Sequence, residues 1–188
     1  MKRLFFVLAA LLLSTGIYAQ GMEWGVKGGL NLASLTNSDG AKMRPGFHAG
    51  LYGEYGINDF LGIQGELLYS MMGAKGTEDG IGFTAQMDYI VLPVVAKIYL
   101  MDKFSLDLGP QFGYLVNAKV KAKVDGTSAS QSFYEDAEKF DLSIGMGLSY
   151  KLGYGFGISA RYNLGLTEIE KGADPKHSVI QVGVTYKF

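Results

Sequence analysis

Residues His177–Phe188 read HSVIQVGVTYKF, in which Ile180, Val182, Val184, Tyr186 and Phe188 alternate with Gln181, Gly183, Thr185 and Lys187. A period of two marks a β-strand with one apolar face. Seven earlier segments repeat the pattern. EWGVKGGLNLAS (Glu23–Ser34) sets Trp24, Val26, Leu30 and Leu32 against Lys27 and Asn31, and GFHAGLYGEYG (Gly46–Gly56) sets Phe47, Ala49, Leu51 and Tyr55 against His48, Tyr52 and Glu54. LGIQGELLYSM (Leu61–Met71) opposes Leu61, Ile63, Leu67, Tyr69 and Met71 to Gln64, Glu66 and Ser70. A fourth segment, from about Phe83 to Leu100, alternates least cleanly. FSLDLGPQFGYLVN (Phe104–Asn117), FDLSIGMGLSYK (Phe140–Lys151) and YGFGISARYNLGL (Tyr154–Leu166) complete the set.

The connections alternate as well. Short turns are expected at Gly56–Asp59, Met101–Lys103 and Leu152–Gly153, and long polar connections at Ser34–Pro45, Gly73–Gly82, Ala118–Lys139 and Thr167–Lys176. An even strand count with short turns at one rim only is the requirement of an outer-membrane barrel. The sequence therefore predicts an all-β fold: an eight-stranded, antiparallel, up-and-down transmembrane β-barrel spanning residues 20–188. Both termini would face the periplasm and the long loops the exterior.

A soluble eight-stranded barrel would bury its large apolar residues inward around a ligand. Here the large apolar residues share one face. The opposite face mixes ions with Gly50, Gly65, Gly109, Gly145, Gly147, Gly157 and Gly183, which suits a narrow interior. Aromatics near segment ends (Trp24, Phe47, Tyr55, Phe104, Tyr150, Tyr154, Phe188) fit interfacial girdles. The 188 residues include 27 Gly, 11 Phe and 12 Tyr but no Cys, so disulfides contribute nothing to stability. A formal net charge of −1 gives no basic footprint for nucleic acid.

MKRLFFVLAALLLSTGIYAQ opens with Lys2 and Arg3, continues with an apolar run from Leu4 to Leu13, and places Ala19 before Gln20. This is the layout of a secretory signal peptide over residues 1–19, and the run is about half the ~20 residues of a spanning helix.

DYIVLPVVAKIYL (Asp88–Leu100) carries Tyr89, Ile90, Leu92, Pro93, Val94 and Lys97 in the spacing Y-[LI]-x-[IL]-P-[LV]-x-x-K. In this it resembles the PorT-like outer-membrane β-barrel proteins of Bacteroidetes. GVKGGLNLASL (Gly25–Leu35) resembles the first strand of that family, and FGISARYNLGLTEI (Phe156–Ile169) its penultimate strand. The resemblance implies a porin-like barrel and, for some members, a part in protein secretion. Val91 departs from the pattern, since the family often carries a polar residue there. Pro93 deletes a ladder hydrogen bond and is expected to mark a bulge.

The inward set includes Lys27, His48, Glu54, Glu66, Lys97, Asp107, Asp141, Arg161 and Lys187. Buried ions of mixed sign must pair, so Lys27, Glu54, Glu66, Lys97, Asp107, Asp141 and Arg161 are expected to form an interior polar network. Glu54 and Glu66, facing Lys97 and Arg161, would lie at its centre and give the barrel a closed polar interior, with a narrow pore as the alternative. No catalytic, metal or cofactor site is expected. A lipid A hydrolase built on His177 and Ser178 with Asp79 or Asp174 is disfavoured, because neighbours in a strand point to opposite faces. A His48–His177 metal site lacks further ligands. No phosphate loop occurs, since GVKGG opens no helix.

Lys119, Lys121 and Lys123 alternate with small apolar residues, so the strand there is expected to run beyond the membrane. Such lysines could meet anionic lipopolysaccharide, but protection of an exposed sheet edge is the simpler reading. The role expected is a non-enzymatic envelope component or a binding protein acting through its loops. Expected partners are outer-membrane lipid, lipopolysaccharide and an unidentified extracellular or secretion partner. Tyr186 and Phe188 resemble the C-terminal signal read by the barrel-assembly machinery, which would be a further partner during biogenesis.

Overall fold

Strands with one apolar and one polar face are stable in lipid only when the sheet closes, because no backbone group can then face hydrocarbon unpaired. The computed structural model describes residues 21–36, 42–78, 81–124, 127–132, 134, 138–167 and 176–188. Residues 1–19, with the expected leader, lie outside them. The strands are β1 (Met22–Leu35), β2 (Lys42–Asn58), β3 (Leu61–Glu78), β4 (Ile81–Met101), β5 (Phe104–Val124), β6 (Thr127–Ser132), β7 (Phe140–Gly153), β8 (Phe156–Gly165) and β9 (His177–Lys187).

All pairings are antiparallel, in the order β4-β3-β2-β1-β9-β8-β7-β5, and β4 pairs β5 to close the ring. The last strand pairs the first, with Val26 against Tyr186 and Leu32 against Ile180. Eight strands thus form the barrel, as the sequence predicts. The ninth, β6, is an addition above it. β5 pairs β7 over Phe104–Tyr114 and then changes partner, pairing β6 over Lys119–Val124.

Three sequence expectations need adjustment. The turn between β7 and β8 lies at Tyr154–Gly155, two residues later than expected, so Tyr154 leaves the strand and is fully exposed. It is held at φ 52°, between Gly153 and Gly155 at φ 113° and 83°. Two of the expected long loops are mostly strand: β5 runs to Val124, as the alternating lysines predict, and β3 runs to Glu78, which the sequence did not show. The apolar alternation fades there because those residues have left the lipid.

Pro93 marks no bulge. It pairs Gln111, and the ladder to β3 merely lapses between Gly65–Val94 and Leu68–Val91 without a change of register. The irregularities of the β4–β5 pair fall at Asp88/Tyr89 and Tyr99/Met101 instead.

The outer surface is a belt of large apolar residues. Leu30 is 69% exposed, Met146 58% and Val182 56%. Ile63, Leu67, Leu108, Ile144, Leu148 and Val184 are exposed beside them. A continuous band of this kind is an exposed apolar patch far beyond what a water-soluble monomer carries, and it suits acyl chains. Gly65 belongs to this outer face rather than to the interior, whereas Gly50, Gly109 and Gly183 face inward close to neighbouring backbone.

The interior has two layers, which the sequence reading did not foresee. Ions fill the half nearer the two-residue turns. The half nearer the loops holds one buried apolar cluster, Ala33, Leu68, Met72, Met87, Tyr89, Val91, Leu115, Ala118 and Val179, with buried polar side chains such as Asn31, His48, Asn163 and Gln181 beside it. The segment Tyr89–Leu92 alternated poorly because both its faces are apolar. Val91, the departure from the family pattern, lies in this plug with no exposed surface.

Candidate functional site

Every inward charge in the lower layer comes from strand parity. Lys27, Gln64 and Glu66, Lys97, Asp107 and Arg161 are contributed by β1, β3, β4, β5 and β8, with Glu54 from β2. Inward glycines provide the space. A Cβ on Gly147 would lie 3.1 Å from the Arg161 Cβ, and one on Gly145 3.2 Å from the Arg161 Cδ.

Glu66 is the hub. Lys27 Nζ donates to both of its oxygens at 2.9 and 3.0 Å. Arg161 forks onto the same carboxylate, Nη2 to Oε1 at 2.7 Å and Nη1 to Oε2 at 3.0 Å. Gln64 Nε2 adds a bond to Oε1 at 2.6 Å. The bidentate arginine fixes the carboxylate plane as well as its charge.

A second centre lies beside it. Lys97 Nζ stands 3.5 Å from Glu54 Oε2 and 3.9 Å from Asp107 Oδ2, and donates to Gln64 Oε1 at 3.2 Å. Asp107 accepts from Ser105 at 2.8 Å and Ser149 at 2.6 Å, and lies 4.0 Å from Arg161. The Tyr99 hydroxyl donates to Glu54. Lys27, Lys97 and Arg161 thus balance Glu54, Glu66 and Asp107 charge for charge.

Toward the turn end the network reaches water. Lys151 contacts Glu54 at 3.3 Å and Glu23 at 3.6 Å, and Lys187 binds Glu23 at 2.8 Å. A cavity of about 260 Å³ opens there, walled by Glu54, Lys97, Ser149, Ser159, Thr185 and Lys187 among others. It is a vestibule that ends on the ionic layer.

Of the seven residues expected in the network, the structure brings six together. Asp141 faces inward but stands apart at the loop end, where Thr167 Oγ1 lies 3.1 Å from its Oδ1. His48 also stays outside the ion pairs, its Nδ1 2.7 Å from Asn31 Oδ1. Gln64, Tyr99, Ser105, Glu23 and Lys151 were not singled out by sequence. Parity places Gln64 inward, but nothing in the sequence shows which inward side chains meet across a barrel.

The histidine constellations do not assemble. His177 is buried against Tyr89, Nε2 to hydroxyl 3.0 Å, while Ser178 lies on the other face, 3.0 Å from the Tyr162 hydroxyl. Asp79 and Asp174 lie outside the described residues. Among the described residues no group of three or more His, Cys, Asp or Glu is placed to hold a metal ion.

The inner and outer faces together describe a membrane barrel, and comparison with known proteins agrees on that architecture. A family model described as "Outer membrane protein beta-barrel domain" matches residues 18–171. Among solved structures, Ail, the attachment invasion locus protein of Yersinia pestis, is 23% identical, with 90% of this chain and 100% of that chain covered and a TM-score of 0.54. Neisserial surface protein A is 15% identical over 90% of this chain and 100% of that one, with a TM-score of 0.60. At such identities the likeness is one of fold. No curated protein matches the chain at a significant level.

Proposed function

The chain belongs to the outer membrane protein beta-barrel domain family, and from that premise we propose that it is a closed, non-enzymatic barrel that binds a partner through a sheet raised above the membrane. The observation that carries this reading is the unequal length of the strands. A spanning strand needs about 9–11 residues. β8 and β9 have 10 and 11, whereas β2, β3, β4 and β5 have 17, 18, 21 and 21. The surplus lies at the loop end, where β3, β4, β5 and the added β6 stand as a sheet beyond the lipid belt.

Short turns face the periplasm in barrels of this type, so the raised sheet and the long loops face outward and both termini inward. Residues 1–19 are a cleaved leader, and Tyr186 and Phe188 are read by the barrel-assembly machinery. The segment Tyr89–Lys97 supports a place among the PorT-like members. Strands that overrun the membrane at one end offer surface for contact without enzymatic equipment.

The interior supports closure. Above the ionic layer the lumen is filled by the apolar cluster on one side and by hydrogen-bonded Asn31, Ser70, His48, Gln181 and Asn163 on the other. Purified protein in planar bilayers should give no stable single-channel steps. Such steps would overturn the closed reading in favour of a narrow pore, which the vestibule alone favours. A photo-crosslinking residue at Gln131, on β6, should give a protein adduct of defined mass in intact cells. Failure to form one would sink the binding role. Unchanged lipid A acylation on overexpression is expected, and a changed pattern would refute the non-enzymatic assignment.

A further inference from the structure

The lysines of β5 have a setting that edge protection does not explain. Over Lys119–Lys123 the strand is paired on both sides, to β4 and to β6, so it is no edge. The edge-blunting reading of the sequence is therefore withdrawn. Their direction is set instead by the inward residues. Ala118 is fully buried, and Lys119 and Lys121 point outward and are exposed.

The register assembles a wider patch. Lys121 pairs Thr84, and Thr84 pairs Lys75 on β3, so the three lie in one row across the sheet. Lys75 is exposed. Directly opposed residues share a face, so Lys75, Thr84 and Lys121 stand together on the outward side. One outward step below, Lys119 pairs Gln86. Among the described residues no carboxylate pairs with Lys75, Lys119 or Lys121. Two interstrand spacings separate Lys75 from Lys121, about 9.5 Å, leaving room for an anionic group against Thr84.

Height selects the anion. Tyr114, 53% exposed and paired to Phe140, marks the upper aromatic rim of the belt. At ~3.3 Å per residue and a tilt of ~40°, Lys119 stands about 13 Å above it and Lys121 about 18 Å. The headgroup layer of a phospholipid leaflet is only about 5–7 Å thick. Lys121 stays above that layer even when its chain bends toward the membrane. A phosphorylated saccharide headgroup reaches that height.

We propose that the outward face of β3–β4–β5 above the lipid belt, carrying Lys75, Thr84, Lys119 and Lys121, binds the phosphorylated saccharide headgroups of outer-leaflet lipopolysaccharide. This rests on the outward orientation proposed for the loop end. It fixes the tilt and height of the raised sheet by laying its basic face on the glycolipid layer, and leaves the inner face and β6 for other partners.

The test uses the full barrel refolded in nanodiscs, with fluorescent lipopolysaccharide as probe. The variant Lys75→Ser/Lys119→Ser/Lys121→Ser should fold, since surface changes of this kind alter stability little. It should bind at least tenfold more weakly, and native binding should weaken as salt rises. Dephosphorylated lipopolysaccharide should bind the native protein no better than the variant does. Millimolar inorganic phosphate should not compete, and nanodiscs of phosphatidylglycerol should not alter the probe's affinity. Equal binding by native and variant protein, equal binding of the dephosphorylated glycolipid, or displacement by free phosphate would each overturn the proposal. The chain has no cysteine, so Gln131→Cys can be labelled on intact cells with an impermeant reagent. Labelling without lysine-dependent binding sinks the lysine site alone, and absence of labelling sinks the orientation on which it rests.

Discussion

Replacing Glu66 by Gln is the most direct probe of the interior. The side chains of Glu66, Lys27 and Arg161 are 0%, 2% and 3% exposed. Glutamine keeps the shape but removes the charge that holds two cations. Its amide also presents N–H donors to Lys27 and Arg161, which have only donors to offer. Three buried cations then face two carboxylates, Glu54 and Asp107. Breaking a buried pair by removing one partner costs about 3–5 kcal/mol, because an uncompensated charge is left behind. That is roughly two to three and a half orders of magnitude in the folded-to-unfolded ratio.

The assay is urea unfolding of barrels refolded into lipid vesicles, followed through Trp24, the single tryptophan. A companion variant separates pairing from mere polarity. Glu66→Leu/Lys27→Met/Arg161→Met removes the hub altogether, while Asp107 keeps Lys97, Ser105 and Ser149 as partners and Glu54 keeps Lys151 and Tyr99. Apolar replacement of a whole buried cluster is often neutral or stabilising, so the triple variant should regain most of the loss. A Glu66→Gln protein within about 1 kcal/mol of native would show that water screens the layer. A triple variant weaker than the single one would show that the ions stabilise the barrel outright. Either result would refute the reasoning.

Other expectations follow from the same geometry. On the lipid face, Val182→Arg should cost about 2–4 kcal/mol in vesicles, whereas Thr185→Arg, at the vestibule wall, should cost well under half as much; equal losses would count against a lipid belt. Gly109→Ala should destabilise by about 1–3 kcal/mol by overpacking, since its Cβ would meet the Val94 carbonyl oxygen at 2.0 Å, while Gly65→Ala, with nothing within 4 Å, should be tolerated. Ser159→Cys, which lines the vestibule, should react with a small thiol reagent, and Val179→Cys in the apolar plug should not; similar rates at both would mean that the plug is wet.

The barrel was legible because lipid enforces alternation. Wherever a strand crosses the belt, each outward residue must be apolar, and the ions that remain must face inward. That logic located Lys27, Glu66 and Arg161 by parity alone. It failed where only one constraint acted. Above the belt lipid no longer enforces apolar alternation, so Gly73–Glu78 read as a loop, and only the alternating lysines of β5 gave its extension away. In the upper lumen Leu68, Val91 and Leu115 are as apolar as their outward neighbours, so parity gave no contrast. Which inward residues meet depends on shear and tilt around the ring, and these brought Gln64 to Glu66 and Lys97 but left Asp141 apart.

In the closed barrel proposed above, the two interior layers block the lumen by different physics. A charge in the ionic layer has a choice of partners, since Lys97 lies between Glu54, Asp107 and Gln64, and Lys151 between Glu54 and Glu23. Exchange among these contacts shifts charge without breaking the balance of the six buried groups. Such exchange is what an ion pathway would use, and the vestibule gives it water from the turn end. The apolar cluster answers it on one side of the lumen, where Leu68, Val91 and Leu115 offer a passing ion no ligand. On the other side the buried amides of Asn31, Asn163 and Gln181 are tied to one another or to their neighbours. Opening the salt bridges therefore lengthens the vestibule without joining it to the other side. On this reading closure rests on the packing above the ionic layer, and the ions are free to set stability and register.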